Sequence, residues 1–406
     1  MNASDSKIST RIPVILLIAG AIWRIAGTGS AALWYDEAIT LYRATRVPFF
    51  ELFTNHTDAS GDLLLELLER PLMLINHSVW LLRLPSLLAG LAALWLAWKI
   101  MQEMQFTPRQ QAFGALFAAF LPGLLWIGQD ARSYGLLAAL AWIPALIQIN
   151  QVSNSLFGIF QPWAFTLTPS WLTKSLIQAI WTTRSSVFNM VAFLLLLASL
   201  GLLYNSKAWK CRNALLLAWL VPICVLVFMS LFFFNIVLYR TLMPMLFPFC
   251  LFLAWEFGQD HASPYRLVLA ALWTGMLLMG LVLWHPADRG GYLDRAAAFI
   301  RSQWQPGDVL VYETQTAARP FLYYLDLPHY SWPYLADPLM AERGIPNTDT
   351  ADPTSARRLW LVEPEDGLIT AAEQTRFDTA YPHGTPLWRI VYLQAAPIDI
   401  FLMEGK

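Results

Sequence analysis

The sequence predicts a polytopic α-helical membrane protein of about nine spans, with interfacial helices in the first outer loop and a small C-terminal α/β extracytoplasmic domain. Three observations carry that prediction. The chain is 57% hydrophobic and only 14% charged, whereas soluble domains are about 25% charged. Its apolar residues fall in a series of runs close to the ~20 residues that a bilayer core requires. After Trp284 the composition changes abruptly to that of an ordinary water-exposed domain. The division is therefore drawn as residues 1–285, the membrane domain, and residues 286–406, the soluble domain.

The first run, Ile12 to Ala26, follows Lys7 and Arg11 and leads without a cleavage signature into further structure, so it reads as a retained span. Further runs are Leu82 to Ile100, Ala112 to Gly128, Tyr134 to Ile149, Val187 to Tyr204, Ala214 to Phe234, Leu238 to Phe257 and Leu267 to Trp284. With the basic N-terminus inside, the loop Lys99 to Arg109 is also inside, while the segments holding Asp36 and Asp130 are outside. The same runs alone would put Lys207, Lys210 and Arg212 outside and Arg240 inside, against the cytoplasmic excess of Lys and Arg. One more crossing, within Gln151 to Thr182 and centred on Val152 to Leu167, restores the rule and gives about nine spans.

Between Thr45 and Trp80 the apolar stretch Leu63 to Leu68 is interrupted by Glu66, Glu69, Arg70 and Pro71. Charges at that density are costly in hydrocarbon. The segment reads as one or two short interfacial helices broken at Pro71, with Leu63, Leu64, Leu67, Leu68 and Leu74 facing the lipid. Pro169 to Trp181 has the same character.

In the C-terminal domain, Tyr292 to Trp304 has helical periodicity, Pro306-Gly307-Asp308 is a turn, and Val309 to Tyr312 is a short buried strand. Arg358 to Val362 and Arg389 to Leu393 are expected strands, with Ile369 to Phe377 helical between them. No Gly-rich phosphate loop and no Ser-His-Asp set stands out there, so the expected role is support or acceptor docking.

The net charge of -1 argues against a nucleic-acid partner, whose phosphates call for a basic surface. Cys211, Cys224 and Cys250 fall in or beside apolar runs without ligand spacing, which predicts neither a disulfide nor a zinc site. What stands out chemically is the acid pair Asp36-Glu37 at the end of the first apolar run, behind Trp34 and Tyr35, aromatic types that favour the membrane–water boundary.

Four runs carry a family likeness: Leu33-Trp34-Tyr35-Asp36-Glu37-Ala38, Leu82-Arg83-Leu84-Pro85-Ser86, Gln129-Asp130-Ala131-Arg132-Ser133-Tyr134 and Tyr239-Arg240-Thr241-Leu242-Met243-Pro244. In this order they resemble the membrane glycosyltransferases of the GT-C fold, in particular the bacterial protein-mannosyltransferase and aminoarabinose-transferase-like branch. The resemblance covers about residues 12 to 257, and the Pro-Gly-Asp-Val turn is similar to that branch's tail. It departs from the branch in three places. Gly61-Asp62-Leu63 and Glu69-Arg70-Pro71 stand where a Pro-rich turn is usual, the stretch from Tyr134 to Trp163 is short, and Thr241 follows Arg240 where Tyr is common.

The resemblance implies transfer of a sugar from a polyprenyl-phosphate carrier to a hydroxyl on a lipid, glycan or protein acceptor at the outer face of the inner (plasma) membrane. It implies Asp36, with Glu37 beside it, as the base or acceptor-orienting group, Asp130 as a second catalytic acid, and Arg240 as the group that holds the carrier phosphate. Arg132, Arg83, Tyr134 and, from the same outer segment as the acid pair, His56 are the further substrate-binding candidates. The residue types suit the reaction. The acceptor hydroxyl needs a base, whereas the departing phosphate needs charge stabilisation, which a guanidinium supplies through its planar fork. No cofactor is required, and a divalent ion could share the phosphate work.

Plainer readings stand beside these. An acid pair after a span is commonly a solvated loop start or a helix N-terminus. Asp130 and Arg132 could cap a helix, and Arg83 and Arg240 could be snorkelling boundary residues. The rival classes are a transporter or flippase-like carrier and a catalytically inactive assembly protein. Against the carrier, the sequence has no inverted repeat, and its candidate charges map to one side of the membrane instead of the midplane.

Overall fold

The computed structural model describes residues 3–54, 63–136, 191, 194–195, 198–199, 219–227, 242–259, 263–283, 293–312, 321, 323–325, 329–331, 358–364, 384–390 and 398–404. They form two compact units. One comprises Met1–Gly29 with Arg43–His285, the other Ser30–Tyr42 with Pro286–Lys406.

The helices of the described residues are α1 (Ala3–Thr28), α2 (Tyr35–Arg46), α3 (Glu51–Thr54), α4 (Leu63–Ile75), α5 (Val79–Glu103), α6 (Pro108–Phe120), α7 (Pro122–Ile127), α8 (Leu246–Phe257), α9 (Pro264–Leu283) and α10 (Leu293–Gln303). The strands are β1 (Val309–Tyr312), β2 (His329–Ser331), β3 (Arg358–Pro364), β4 (Gly384–Ile390) and β5 (Ile398–Glu404).

Among the described residues, α1, α5 and α9 are long and apolar enough to cross a membrane. Their exposed faces are hydrocarbon: Ile12, Ile15, Ile18, Ile22 and Ile25 on α1, and Leu267, Val268, Leu272, Leu278 and Val282 on α9. The expected run Ala112 to Gly128 is not one straight helix. Pro122 has no N–H to donate to Ala118, so the helix stops at Phe120 and restarts as α7. In the last expected apolar run before α9, the described residues include a short 3-10 turn, Met243–Met245, immediately before α8. The span count depends on residues 137–241, most of which lie outside the described residues.

Small residues and caps hold this unit together. Gly20 of α1 lies against Ala119 of α6, where an added Cβ would come within 2.5 Å of the alanine methyl. Gly90 of α5 faces Gly128, just beyond α7, where an added Cβ would come within 2.9 Å of the Gly128 Cα. At the other end of α6, Thr107 accepts from Gln110 N at 3.3 Å while Gln110 Oε1 accepts from Thr107 N at 2.8 Å, a reciprocal cap with Pro108 at the first helical position. Gln110 Nε2 also donates to Trp255 O at 3.1 Å, tying α6 to α8. The buried Trp273 of α9 stacks edge-on against Phe249 and Phe117, and its N–H donates to Ser199 Oγ at 2.8 Å.

Helix α4 runs unbroken through Pro71, contrary to the break expected from the sequence. It is amphipathic in the inverse sense. Leu64, Leu68, Pro71 and Ile75, spaced as one helical stripe, are exposed together with Leu74, while Leu65, Glu66, Glu69 and Met73 face inward. Leu63 and Leu67, expected on the lipid side, are half-buried. Both acids are fully buried, and Glu66 Oε1 accepts from Arg43 Nε at 2.6 Å. Such polarity is wrong for water and right for hydrocarbon. Phe50, 82% exposed just ahead of α3, adds to the same apolar character, and Arg70 of α4 lies over the neighbouring Phe49 ring. The short connection from Ile75 to the start of α5 keeps α4 beside the end of a crossing helix. Nitroxide labels at Leu64, Leu68 and Ile75, with the native cysteines replaced, are expected to relax faster with oxygen than with an aqueous nickel chelate. A label at Glu103 should do the reverse, and nickel access at the three leucine and isoleucine positions would reject a lipid-facing α4.

The second unit contains a five-stranded sheet of order β2-β1-β3-β5-β4. Strand β1 pairs parallel with β2 and β3, and β5 runs antiparallel between β3 and β4. Gly307, at φ 91°, makes the turn into β1. Asp308 beside it accepts from Gln305 N at 3.0 Å and from Trp360 Nε1 at 2.9 Å, locking the turn to β3. Strand β4, Gly384–Ile390, starts before the expected Arg389 to Leu393, and Val391 to Leu393 and the expected helix Ile369 to Phe377 lie outside the described residues.

Candidate functional site

The acid pair opens a helix. Asp36 and Glu37 occupy the first turn of α2, where carboxylates meet the positive end of the helix dipole. Ala38 N donates to Trp34 O at 3.0 Å, closing that turn. Glu37 Oε2 accepts from Trp34 N at 3.5 Å, the reach-back of a capping box. Neither acid is a solvated loop residue: Asp36 is 8% exposed and Glu37 0%. A buried carboxylate carries a desolvation cost that a surface cap avoids. Glu37 is bound into the helix start through its side chain, and the Asp36 backbone oxygen accepts from Thr40 Oγ1 at 3.1 Å.

The other described candidates lie in the helical unit, where the ends of α1, α5 and α7 meet. Arg83, one turn into α5, is fully buried and donates through Nη1 to Thr28 O at 2.8 Å, at the end of α1. One further turn along α5, Ser86 Oγ donates to Arg132 O at 3.0 Å. The segment after α7 is thereby pinned to α5. Gln129 Nε2 donates to Trp23 O and Arg24 O at 3.1 and 3.0 Å, which pins it to α1 as well. Asp130, fully buried, accepts from Trp126 Nε1 at 3.1 Å. Arg132 N donates to Asp130 O at 2.8 Å in a tight turn, and the Arg132 guanidinium lies over the Tyr134 ring, 6.0 Å from its centroid. Gly135 follows so closely that a Cβ would sit 2.6 Å from Ile127 O and 3.1 Å from Ser86 O.

Thus Arg83, Asp130 and Arg132 are each buried within the helical unit, held through Thr28, Trp126 and Ser86, and Tyr134 is half-buried beneath the Arg132 guanidinium. Asp36 and Glu37 belong to the other compact unit. Arg240 and His56 lie outside the described residues. Among the described residues no group of three or more His, Cys, Asp or Glu is arranged to hold a metal ion.

Arg24 is the residue that sequence reasoning missed. It is fully buried near the end of α1, and its guanidinium donates to Ala119 O at 2.6 Å, Ala118 O at 2.9 Å, Gly20 O at 3.2 Å and Leu124 O at 3.3 Å. Ala118 O is the carbonyl that would pair with residue 122 in a continuous helix, and Pro122 offers no N–H. Arg24 supplies the missing donor. The signal was present as a charge inside the first apolar run, since an arginine within a span faces protein or a cavity and is matched by acceptors there.

No family model matches the chain. No curated protein matches it. Among solved structures, the crystal structure of ArnT from Cupriavidus metallidurans in the apo state is similar over 96% of this chain and 97% of that one, at 12% identity and a TM-score of 0.43.

Proposed function

We propose that this chain is an integral glycosyltransferase of the inner (plasma) membrane, GT-C-like, which moves a sugar from a polyprenyl-phosphate carrier to an acceptor hydroxyl at the outer face. The observation that carries the reading is the burial of Asp36 in the first turn of α2, within a few residues of the end of a membrane-crossing helix. A carboxylate held there out of bulk water suits proton removal from an acceptor hydroxyl. Glu37 sets the helix start that presents it. Asp130 is assigned as the second catalytic acid, and the buried Arg83 and Arg132, the latter over Tyr134, are assigned to the phosphate-bearing donor. Arg240 is assigned to the carrier phosphate and His56 to the substrate on the strength of the sequence resemblance alone.

In this mechanism the acceptor oxygen attacks the anomeric carbon as Asp36 takes its proton. The bond from that carbon to the phosphate oxygen breaks, and the electron pair leaves on the polyprenyl phosphate, whose charge the guanidiniums stabilise. No step requires a cofactor, and a divalent ion could assist the leaving phosphate.

The test is incubation of the purified protein with radiolabelled polyprenyl-phosphate sugars and membrane extract. Label moving to a lipid, glycan or protein acceptor is the expected result. Failure of every donor to turn over, with the protein folded, would reject the reading in favour of a carrier or assembly role.

A further inference from the structure

The segment that bears Asp36 has an unexpected home. Residues Ser30–Tyr42 group with Pro286–Lys406, while their sequence neighbours on both sides group with the helical unit. Ala32 is part of a buried core built from Leu293 and Ile300 of α10, Leu310 of β1, Phe321 and Trp360 of β3. Trp34, before Asp36, and Tyr42, after it, pack against that same core. A support or docking role for the C-terminal domain, all that its sequence offered, is thus narrower than what its packing does.

One hydrogen bond fixes the register of the segment. Leu33 N donates to Tyr324 Oη at 2.7 Å. Tyr324 is itself held, because Arg301 of α10 donates through Nη2 to Tyr324 O at 2.6 Å and Leu325 N donates to Phe321 O at 2.7 Å. From Leu33 the constraint passes to Trp34, whose carbonyl accepts from Ala38 N and whose N–H is donated to Glu37. These are the contacts that start α2, and Asp36 lies between them. A single tyrosine hydroxyl, held by α10, therefore sets where the helix begins and hence which way its first turn faces.

We propose that the C-terminal α/β domain is the positioning element for the Asp36 segment, with Tyr324 as its key positioning residue; this rests on the glycosyl-transfer reading. The domain's own fold contributes no reacting group. It presents a hydroxyl acceptor and an apolar seat to a short piece of chain from the other end of the sequence. Precise orientation of a base is worth much in rate and little in donor affinity.

The experiment compares the full-length protein with Tyr324→Phe, which keeps the ring and deletes the acceptor, and with Ala32→Glu, which places a charge in the buried seat. Hydrogen exchange and steady-state kinetics are measured on each. In Tyr324→Phe, exchange across residues 30–42 should accelerate while that of residues 79–103 stays unchanged. Its kcat should fall about three- to tenfold with the donor KM unaltered. Ala32→Glu should show the same pattern more strongly. If the wild-type protein turns over and Tyr324→Phe changes neither exchange nor kcat, the positioning role is overturned. Faster exchange with unchanged kcat also overturns it, since the domain would then hold the segment without bearing on the chemistry. A wild-type protein that transfers no sugar removes the reading beneath the proposal, a result that the exchange data distinguish from a failure of the anchoring.

Discussion

Asp36→Asn is expected to lower turnover by about 10²- to 10⁴-fold, the range that general-base catalysis supplies. The amide is nearly isosteric and can still sit in the first turn of α2, so the helix start closed by Ala38 N and Trp34 O should persist. Donor affinity should change little, because the lost proton transfer acts in the transition state. Glu37→Gln provides the contrast. A glutamine oxygen can accept from Trp34 N as the carboxylate does, so this variant should retain activity within about tenfold of wild type. Radiolabelled donor turnover measured on both variants decides the matter. Equal activity of Asp36→Asn and wild type would remove Asp36 from the reaction, and a collapse of Glu37→Gln alone would exchange the two roles.

The second large effect is on stability. Arg24→Met should destabilise the protein by about 2–4 kcal/mol, since carbonyls at the end of α6 lose their donors in a site without water. Arg24→Lys should recover only part, because an ammonium lacks the planar fork that reaches Ala118 O and Ala119 O from different nitrogens. Replacing Pro122 by Ala in the Arg24→Met background returns an N–H to Ala118 O within the helix, and the two losses should then be less than additive. Unfolding in detergent micelles is measured on wild type, Arg24→Met, Arg24→Lys, Pro122→Ala and the double variant. Arg24→Met as stable as wild type would show that the carbonyls find other partners.

The sequence and the structure agree where local physics is decisive. The apolar stretches behind α1, α5 and α9 announce themselves, because a crossing helix must be continuously hydrophobic whatever it packs against. Pro-Gly-Asp ahead of β1 is similarly plain, since a positive φ calls for glycine. The disagreements arise where partners distant in sequence decide. Pro122 could be seen, but the break it makes in the helix is tolerable only because Arg24 answers it. Pro71 could also be seen, and there the helix runs on. Strand β5 lies between β3 and β4, yet its alternation of Ile398, Ile400 and Leu402 is too short to predict a strand, and its pairing comes from segments outside its own window. At the site, Arg83, Asp130, Arg132 and Tyr134 were legible as charges and an aromatic at helix ends. That Ser30–Tyr42 would pack with the C-terminal domain was not, as nothing local to Ala32 or Leu33 encodes a tyrosine at the far end of the chain.

The bond from Leu33 to Tyr324 joins residues 291 apart. A ribosome that has just made Leu33 needs roughly 15 to 60 s more at usual synthesis rates before Tyr324 exists. During that interval the first crossing helices are already being inserted, yet the start of α2 has no seat. The proposed base, Asp36, is thus among the earliest residues translated, while the seat of its helix start is completed only after Tyr324 is made, so a nascent or truncated chain would reach the membrane without that seat.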